Sequence, residues 1–115
     1  TDVLSLIFNH HALIHPALYE GLPNAVCEAM MCGRPVLVSD VCDHSVLVED
    51  GVRGYLFDPV DPKSIADAIH KMAVLSQDEW RKLGCNARDY GVSSLSIHRL
   101  AVSYEQIIKN CLSKE

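Results

Sequence analysis

The sequence predicts an α/β fold, part of an open parallel sheet of about three strands with flanking helices. Two short runs, Ala12-Leu13-Ile14-His15 and Pro35-Val36-Leu37-Val38-Ser39, are too brief for helices and too continuously apolar for half-exposed strands, so they read as strands buried on both faces. A third run, Tyr55-Leu56-Phe57, closes on the turn pair Asp58-Pro59. Segments of helical spacing alternate with these runs instead of following them in a block, which is the signature of a parallel sheet with helical crossovers.

Residues 2–9 read as a short helix with Val3, Leu6 and Ile7 on one side. No strand precedes it, so the chain is expected to begin partway through a fold. After the first strand a turn-rich stretch, Leu18-Tyr19-Glu20-Gly21-Leu22-Pro23-Asn24, leads into a helix over 25–32, with Pro23 expected at its first position and Gly33 just past its end. The second strand is followed by a single helical turn at 44–49, then by Asp50-Gly51 and Gly54 as turn residues. Asp61 caps a helix that opens on Pro62 and carries an apolar stripe at Ile65, Ala68, Ile69, Met72 and Leu75. Ser76-Gln77-Asp78-Glu79 is a capping box for a helix through Trp80, Leu83 and Ala87, which Gly91 is expected to end. A last helix from about Leu95 aligns Ile97, Leu100, Ala101, Tyr104, Ile108 and Cys111 on one face.

At 115 residues, 49% hydrophobic and 22% charged, the chain suits a single domain with a core of its own. A net charge of −5 with no block of Lys and Arg disfavours nucleic acid as a partner. No apolar run approaches the ~20 residues of a helical membrane span, and no secretory signal opens the chain, so a cytoplasmic protein is expected. Cys27, Cys32, Cys42, Cys85 and Cys111 contain no Cys-x-x-Cys pair, and their apolar neighbours predict small buried thiols. Three of them with His44 match no familiar zinc spacing, so no metal site is expected.

Ligands of open parallel sheets bind beyond the carboxyl ends of the strands, which points to residues 15–28. Gly21 admits a ligand close to the backbone, and Leu22, Asn24, Ala25 and Val26 present amides ahead of the helix ladder, while Pro23 has none. Free amides and the positive end of a helix dipole suit a phosphate, or sugar hydroxyls beside one. Glu20 just before the helix and Glu28 inside it can each accept hydrogen bonds from two vicinal hydroxyls. From charge and spacing alone, a solvated Glu20 and a surface Glu28 explain the residues equally well. His15, ending an apolar strand, reads as a satisfied core residue, His70 and His98 as helix-surface residues, and Trp80 and Tyr104 as core.

The run His15-Pro16-Ala17-Leu18-Tyr19-Glu20-Gly21-Leu22-Pro23-Asn24-Ala25-Val26-Cys27-Glu28-Ala29-Met30, with Cys32-Gly33-Arg34-Pro35-Val36 and Ser39-Asp40 after it, closely resembles the C-terminal domain of family 4 (group 1) retaining glycosyltransferases and their Glu-x7-Glu signature. Val48-Glu49-Asp50-Gly51-Val52-Arg53-Gly54-Tyr55-Leu56-Phe57-Asp58-Pro59 matches the stretch that follows, so the resemblance spans roughly residues 4–75. It implies a GT-B fold, with residues 1–115 a Rossmann-like fragment of the donor-binding domain and the N-terminal acceptor domain absent. It also implies hexosyl transfer from a nucleotide-diphosphate sugar, UDP- or GDP-linked, to a glycan or lipid-linked acceptor, with retention of configuration and no metal or other cofactor. Glu20 would be the catalytic residue, holding donor-sugar hydroxyls on the reacting side. Leu22, Asn24 and Ala25 would give amides to the sugar and distal phosphate beside Gly21, and Glu28 would hold the ribose hydroxyls.

The sequence departs from the family pattern in three places. Ala17 stands where Ser is usual, His11 where Asp is common, and Cys42-Asp43 with Ser45-Val46 where Gly-Gly and a Pro-Glu pair are frequent. The last leaves its loop without an assigned role, although Asp43 and His44 are polar. Expected partners are the nucleotide sugar, the missing domain, and a second copy of the fragment through an exposed sheet edge. The isolated chain is expected to be inactive. Cell-surface glycan assembly and peripheral membrane association of the whole enzyme follow by family habit. The alternatives are a non-catalytic nucleotide-sugar-binding or association module and a GT-B-like sugar-nucleotide epimerase.

Overall fold

The computed structural model describes residues 2–21, 23–95 and 97–113. In chain order the elements are α1 (Val3–Phe8), β1 (Leu13–His15), α2 (Asn24–Met31), β2 (Val36–Ser39), α3 (His44–Val48), β3 (Gly54–Phe57), α4 (Pro62–Ala73), α5 (Gln77–Ser94) and α6 (Ile97–Leu112). The strands lie side by side in the order β1-β2-β3, all parallel, with Leu13 opposite Val36 and Val36 opposite Gly54. The α/β class and the three predicted strands are therefore what the chain forms.

β2 is the centre, with every residue buried. Alternation along a strand sends Val36 and Val38 to one face and Leu37 to the other. Val36 and Val38 join Val26, Ala29 and Met30 of α2, Leu47 and Val48 of α3 and Ala87 of α5 in one core. Leu37 joins Phe57 and Ala68 in the second core, under α4. Cover on both faces explains why β2 reads as an unbroken apolar run, since each such side chain contributes roughly 1.5–3 kcal/mol when fully buried. β1 corrects the expectation of burial on both faces: Leu13 and His15 are only half-buried and Ile14 is 40% exposed.

Helix starts follow local chemistry. Asp2 and Asp61 accept the amides of Leu4 and Lys63 at 3.1 and 3.0 Å. Ser76 and Glu79 close both arms of the capping box, at 3.1 and 3.3 Å. Pro23, expected inside α2, is instead its cap in extended conformation, and the helix begins at Asn24.

Gly91 does not end α5, which continues to Ser94. It is a packing glycine: a Cβ there would stand 2.8 Å from Met31 Sδ, and one at Gly84 would stand 2.3 Å from the Gly33 carbonyl oxygen. The two glycines, seven residues apart, let α5 lie directly on the end of α2. Trp80 is not a core residue either. Half-buried, it donates its indole N–H to the His11 carbonyl at 2.8 Å, with Arg34 5.4 Å above its ring. Arg34 also donates to the Phe8 carbonyl at 2.7 Å, so the pair brackets the α1–β1 segment onto the body.

The cysteines correct another expectation. Cys27 and Cys32 are half-buried and Cys42, Cys85 and Cys111 are exposed, because the buried face of α2 belongs to Val26, Ala29 and Met30. Burial pushes the Cys27 thiol up, reinforced by the nearby Glu28 carboxylate. Burial likewise raises Cys32, against the opposing pull of Arg34 and Arg88. Among the described residues no cluster of three His, Cys, Asp or Glu could hold a metal ion, and no helix is long and apolar enough to cross a membrane. Residues 101–113 of the last helical segment are exposed throughout, Tyr104 at 60%, so Tyr104 is not core. Ser96, and the side chains of His98 and Leu100, lie outside the described residues.

Candidate functional site

The rim at the carboxyl end of β1 is built by a clasp from β2. Val38 pairs with His15, which carries Ser39 alongside the chain as it leaves β1. The fully buried Ser39 hydroxyl accepts the Ala17 amide at 2.7 Å and donates to the His15 carbonyl at 3.5 Å. The chain then turns over the rim, exposing Leu18 and Tyr19.

Glu20 comes back toward the strand. Its Oε2 lies 3.3 Å from His15 Nε2, with the two side chains 39% and 27% exposed. His15 is thus a partner of the carboxylate rather than a core residue. The contact runs across a turn, where no periodic pattern exists to announce it; the one available hint is a histidine ending a strand ahead of an acid.

Gly21 is exposed, and nothing lies within 4 Å of where a Cβ would stand, so a ligand can reach the backbone there. Leu22 lies outside the described residues. Pro23 offers α2 no side-chain cap, and the Cys27 amide makes the first ladder bond, to the Pro23 carbonyl at 3.1 Å. The amides of Asn24, Ala25 and Val26 therefore precede the ladder with no capping side chain competing for them. Among the described residues Gly21, Asn24, Ala25 and Glu28 are exposed, Asn24 and Glu28 one turn apart on one side of α2, while Ala25 also borders a hollow beside α1.

Beside Gly21 and Pro23 stands the first residue of α3, which sequence alone leaves without an assigned role. His44 is 1% exposed; its Nδ1 lies 2.9 Å from the Ser39 carbonyl oxygen, and its Nε2 is buried with no partner among the described residues. Gly21, Pro23, Asp43, His44 and Leu47 line a half-open pocket of about 140 Å³. Buried Arg53 holds α3 in place from its far end, donating to the carbonyls of Leu47 and Val46 at 2.9 and 3.0 Å while its guanidinium lies 4.0 Å over Tyr90. A larger hollow of about 650 Å³ between His11, Met72 and Trp80 opens beside the residues that precede β1, away from the strand ends where open sheets bind ligands.

Residues 1–90 match the family of glycosyl transferases group 1. The chain is 29% identical over 100 residues to the D-inositol 3-phosphate glycosyltransferase of Thermobifida fusca, covering 84% of this chain and 23% of that one. Its fold superposes on the sucrose-phosphate synthase of Thermosynechococcus elongatus with a TM-score of 0.82 at 25% identity, covering 97% of this chain and 28% of that one. It also superposes on the Anabaena protein HepE in complex with UDP, with a TM-score of 0.77 at 25% identity, covering 96% and 29%. The chain spans under a third of the length of these relatives. The matched family, the shared architecture and the sequence run around Glu20 and Glu28 agree: the chain belongs to the group 1 glycosyltransferases.

Proposed function

We propose that residues 1–115 are the donor-binding part of a retaining, metal-independent glycosyltransferase that uses a nucleotide-diphosphate sugar, with the acceptor side supplied by a further, N-terminal domain. The observation that carries this is the uncapped start of α2 between Glu20 and Glu28. Open amides at a helix N-terminus suit a diphosphate, and a carboxylate before and after them in the chain suits the diols of a sugar and a ribose. That HepE has been solved with UDP supports the ligand class.

On this reading Glu28 holds the ribose hydroxyls and Glu20 the sugar hydroxyls, with His15 fixing the Glu20 carboxylate. The bond from the sugar C1 to the phosphate oxygen breaks while the acceptor oxygen approaches C1 on the same face. The leaving phosphate takes the acceptor proton, which retains configuration without a covalent sugar–enzyme intermediate. Charge developing on that phosphate meets the amides of Asn24 and Ala25, dipoles already oriented before the reaction, so the chain itself supplies the role a cation would otherwise play.

In the complete enzyme Glu28→Ala is expected to weaken donor binding about 10-fold or more, the range for a lost hydrogen bond to a charged group. Glu20→Ala is expected to lower kcat roughly 100-fold with a smaller change in KM. Unchanged steady-state kinetics in both variants would overturn the assignment. Turnover of a nucleotide sugar by the isolated 115-residue chain would overturn the view that it is one part of a two-sided site.

A further inference from the structure

We propose that His44 is a contact for the sugar half of the donor, its Nε2 accepting a hydrogen bond from a sugar hydroxyl that enters the pocket beside Gly21; this rests on the donor-site reading above. A carbonyl oxygen only accepts, so the 2.9 Å approach to Ser39 places the ring proton on Nδ1. In the Nδ1–H tautomer Nε2 is a bare acceptor. Native proteins rarely leave such an atom buried without a partner, and this one has none among the described residues. The open space that His44 borders is the pocket of about 140 Å³ shared with Gly21, Pro23, Asp43 and Leu47.

The chemistry of that pocket selects its occupant. Its polar side chains, the Asp43 carboxylate and His44 Nε2, are both acceptors, which rules against a phosphate oxygen and favours a group that donates O–H. Its position selects which part of the donor arrives. Gly21 directly follows Glu20, so the pocket adjoins the sugar end of the proposed donor site and not the Glu28 end. The volume suits a single hydroxymethyl or hydroxyl-bearing carbon rather than a base. His44 is 1% exposed, so the hydroxyl approaches it from the Gly21 side of the pocket, where nothing lies within 4 Å of the place a Cβ would take.

The test uses two variants of the whole chain and paired ligands. His44→Asn keeps a donor for the Ser39 carbonyl and removes the Nε2 position; His44→Gln restores an acceptor near that position. Binding of UDP, UDP-glucose, GDP and GDP-mannose is followed by NMR titration at up to millimolar ligand, with the ring 15N signals of His44 observed directly. Expected are a shift of the His44 Nε2 signal with a nucleotide sugar but not with its nucleotide alone, a roughly 3- to 10-fold weaker nucleotide-sugar affinity in His44→Asn with nucleotide affinity unchanged, and partial recovery in His44→Gln. Equal weakening of nucleotide and nucleotide sugar would overturn the proposal by showing a general effect on the loop. No change in either, while Glu28→Ala still weakens nucleotide binding, would overturn it outright. If wild-type chain binds none of the four, the donor-site reading fails, and this proposal with it.

Discussion

Cys42 stands at φ 51°, in the left-handed region that a side chain enters at a cost of about 1–2 kcal/mol. The family resemblance marks this position as one where Gly is frequent, and the backbone supplies the reason. Cys42→Gly removes the strain but loosens the unfolded chain, and a net gain of about 0.5–1 kcal/mol in urea unfolding is expected. Ser39 works in the opposite sense. Removing its hydroxyl leaves the Ala17 amide without its 2.7 Å partner, so Ser39→Ala is expected to lose about 1–3 kcal/mol in the same measurement. The thiols can be ranked too. Burial pushes the Cys27 thiol up and shields it, while Cys42 and Cys85 are exposed, so Cys27 is expected to react with a disulfide reagent last of the three. Because the folded state raises that thiol, its contribution to stability is full below the unfolded value and falls away as pH climbs through the folded one. The motif singled out Glu20 and Glu28 as candidates, whereas nothing in the sequence announced the His15–Glu20 pair or the His44–Ser39 contact. Both join residues across a turn or a strand exit, where only three-dimensional placement creates the contact.

At the scale of elements, what was legible was whatever is encoded within a few residues. The capping box at Ser76 and Glu79 and the Asp61 cap are local, and both form as the sequence indicates. The end of α5 was not legible, because a glycine that stops a helix and a glycine that admits a neighbour look alike in one dimension. The distinction is measurable. Gly84→Ala drives a methyl into the Gly33 carbonyl at 2.3 Å and is expected to cost about 2–3 kcal/mol, since backbone cannot step aside. At Gly91 the obstacle is the Met31 thioether at 2.8 Å, which can change rotamer, and the gain in helix propensity offsets much of the strain. Gly91→Ala is therefore expected to stay within about 1 kcal/mol of wild type. Melting curves that reversed this order would contradict the packing described for α2 and α5.

For the molecule as a whole, the α/β class and the parallel sheet were legible because short continuous apolar strands alternating with helical crossovers have few other ways to pack; the strand order β1-β2-β3 came only with the structure. The role of the last helix was not. Its apolar spacing promised a buried face, yet Ile107, Ile108 and Leu112 are each more than half exposed. Spacing reports which face is apolar, not whether anything covers it. A chain ending after Leu95 is accordingly expected to melt within a few degrees of the full chain, as followed by circular dichroism.

Each strand pairs with the next one along the sequence, so every ladder closes a stretch of only about 20 residues. Assembly can then proceed one crossover at a time, and β2, flanked on both sides, is the strand that completes each step. In hydrogen exchange the amides of Val36 and Val38 should be released only with global unfolding, while amides of β1, whose residues are half-buried or exposed, open earlier. The turn that carries Glu20 would then sit on the part of the sheet that breathes first, and donor binding would be read there as slowed exchange.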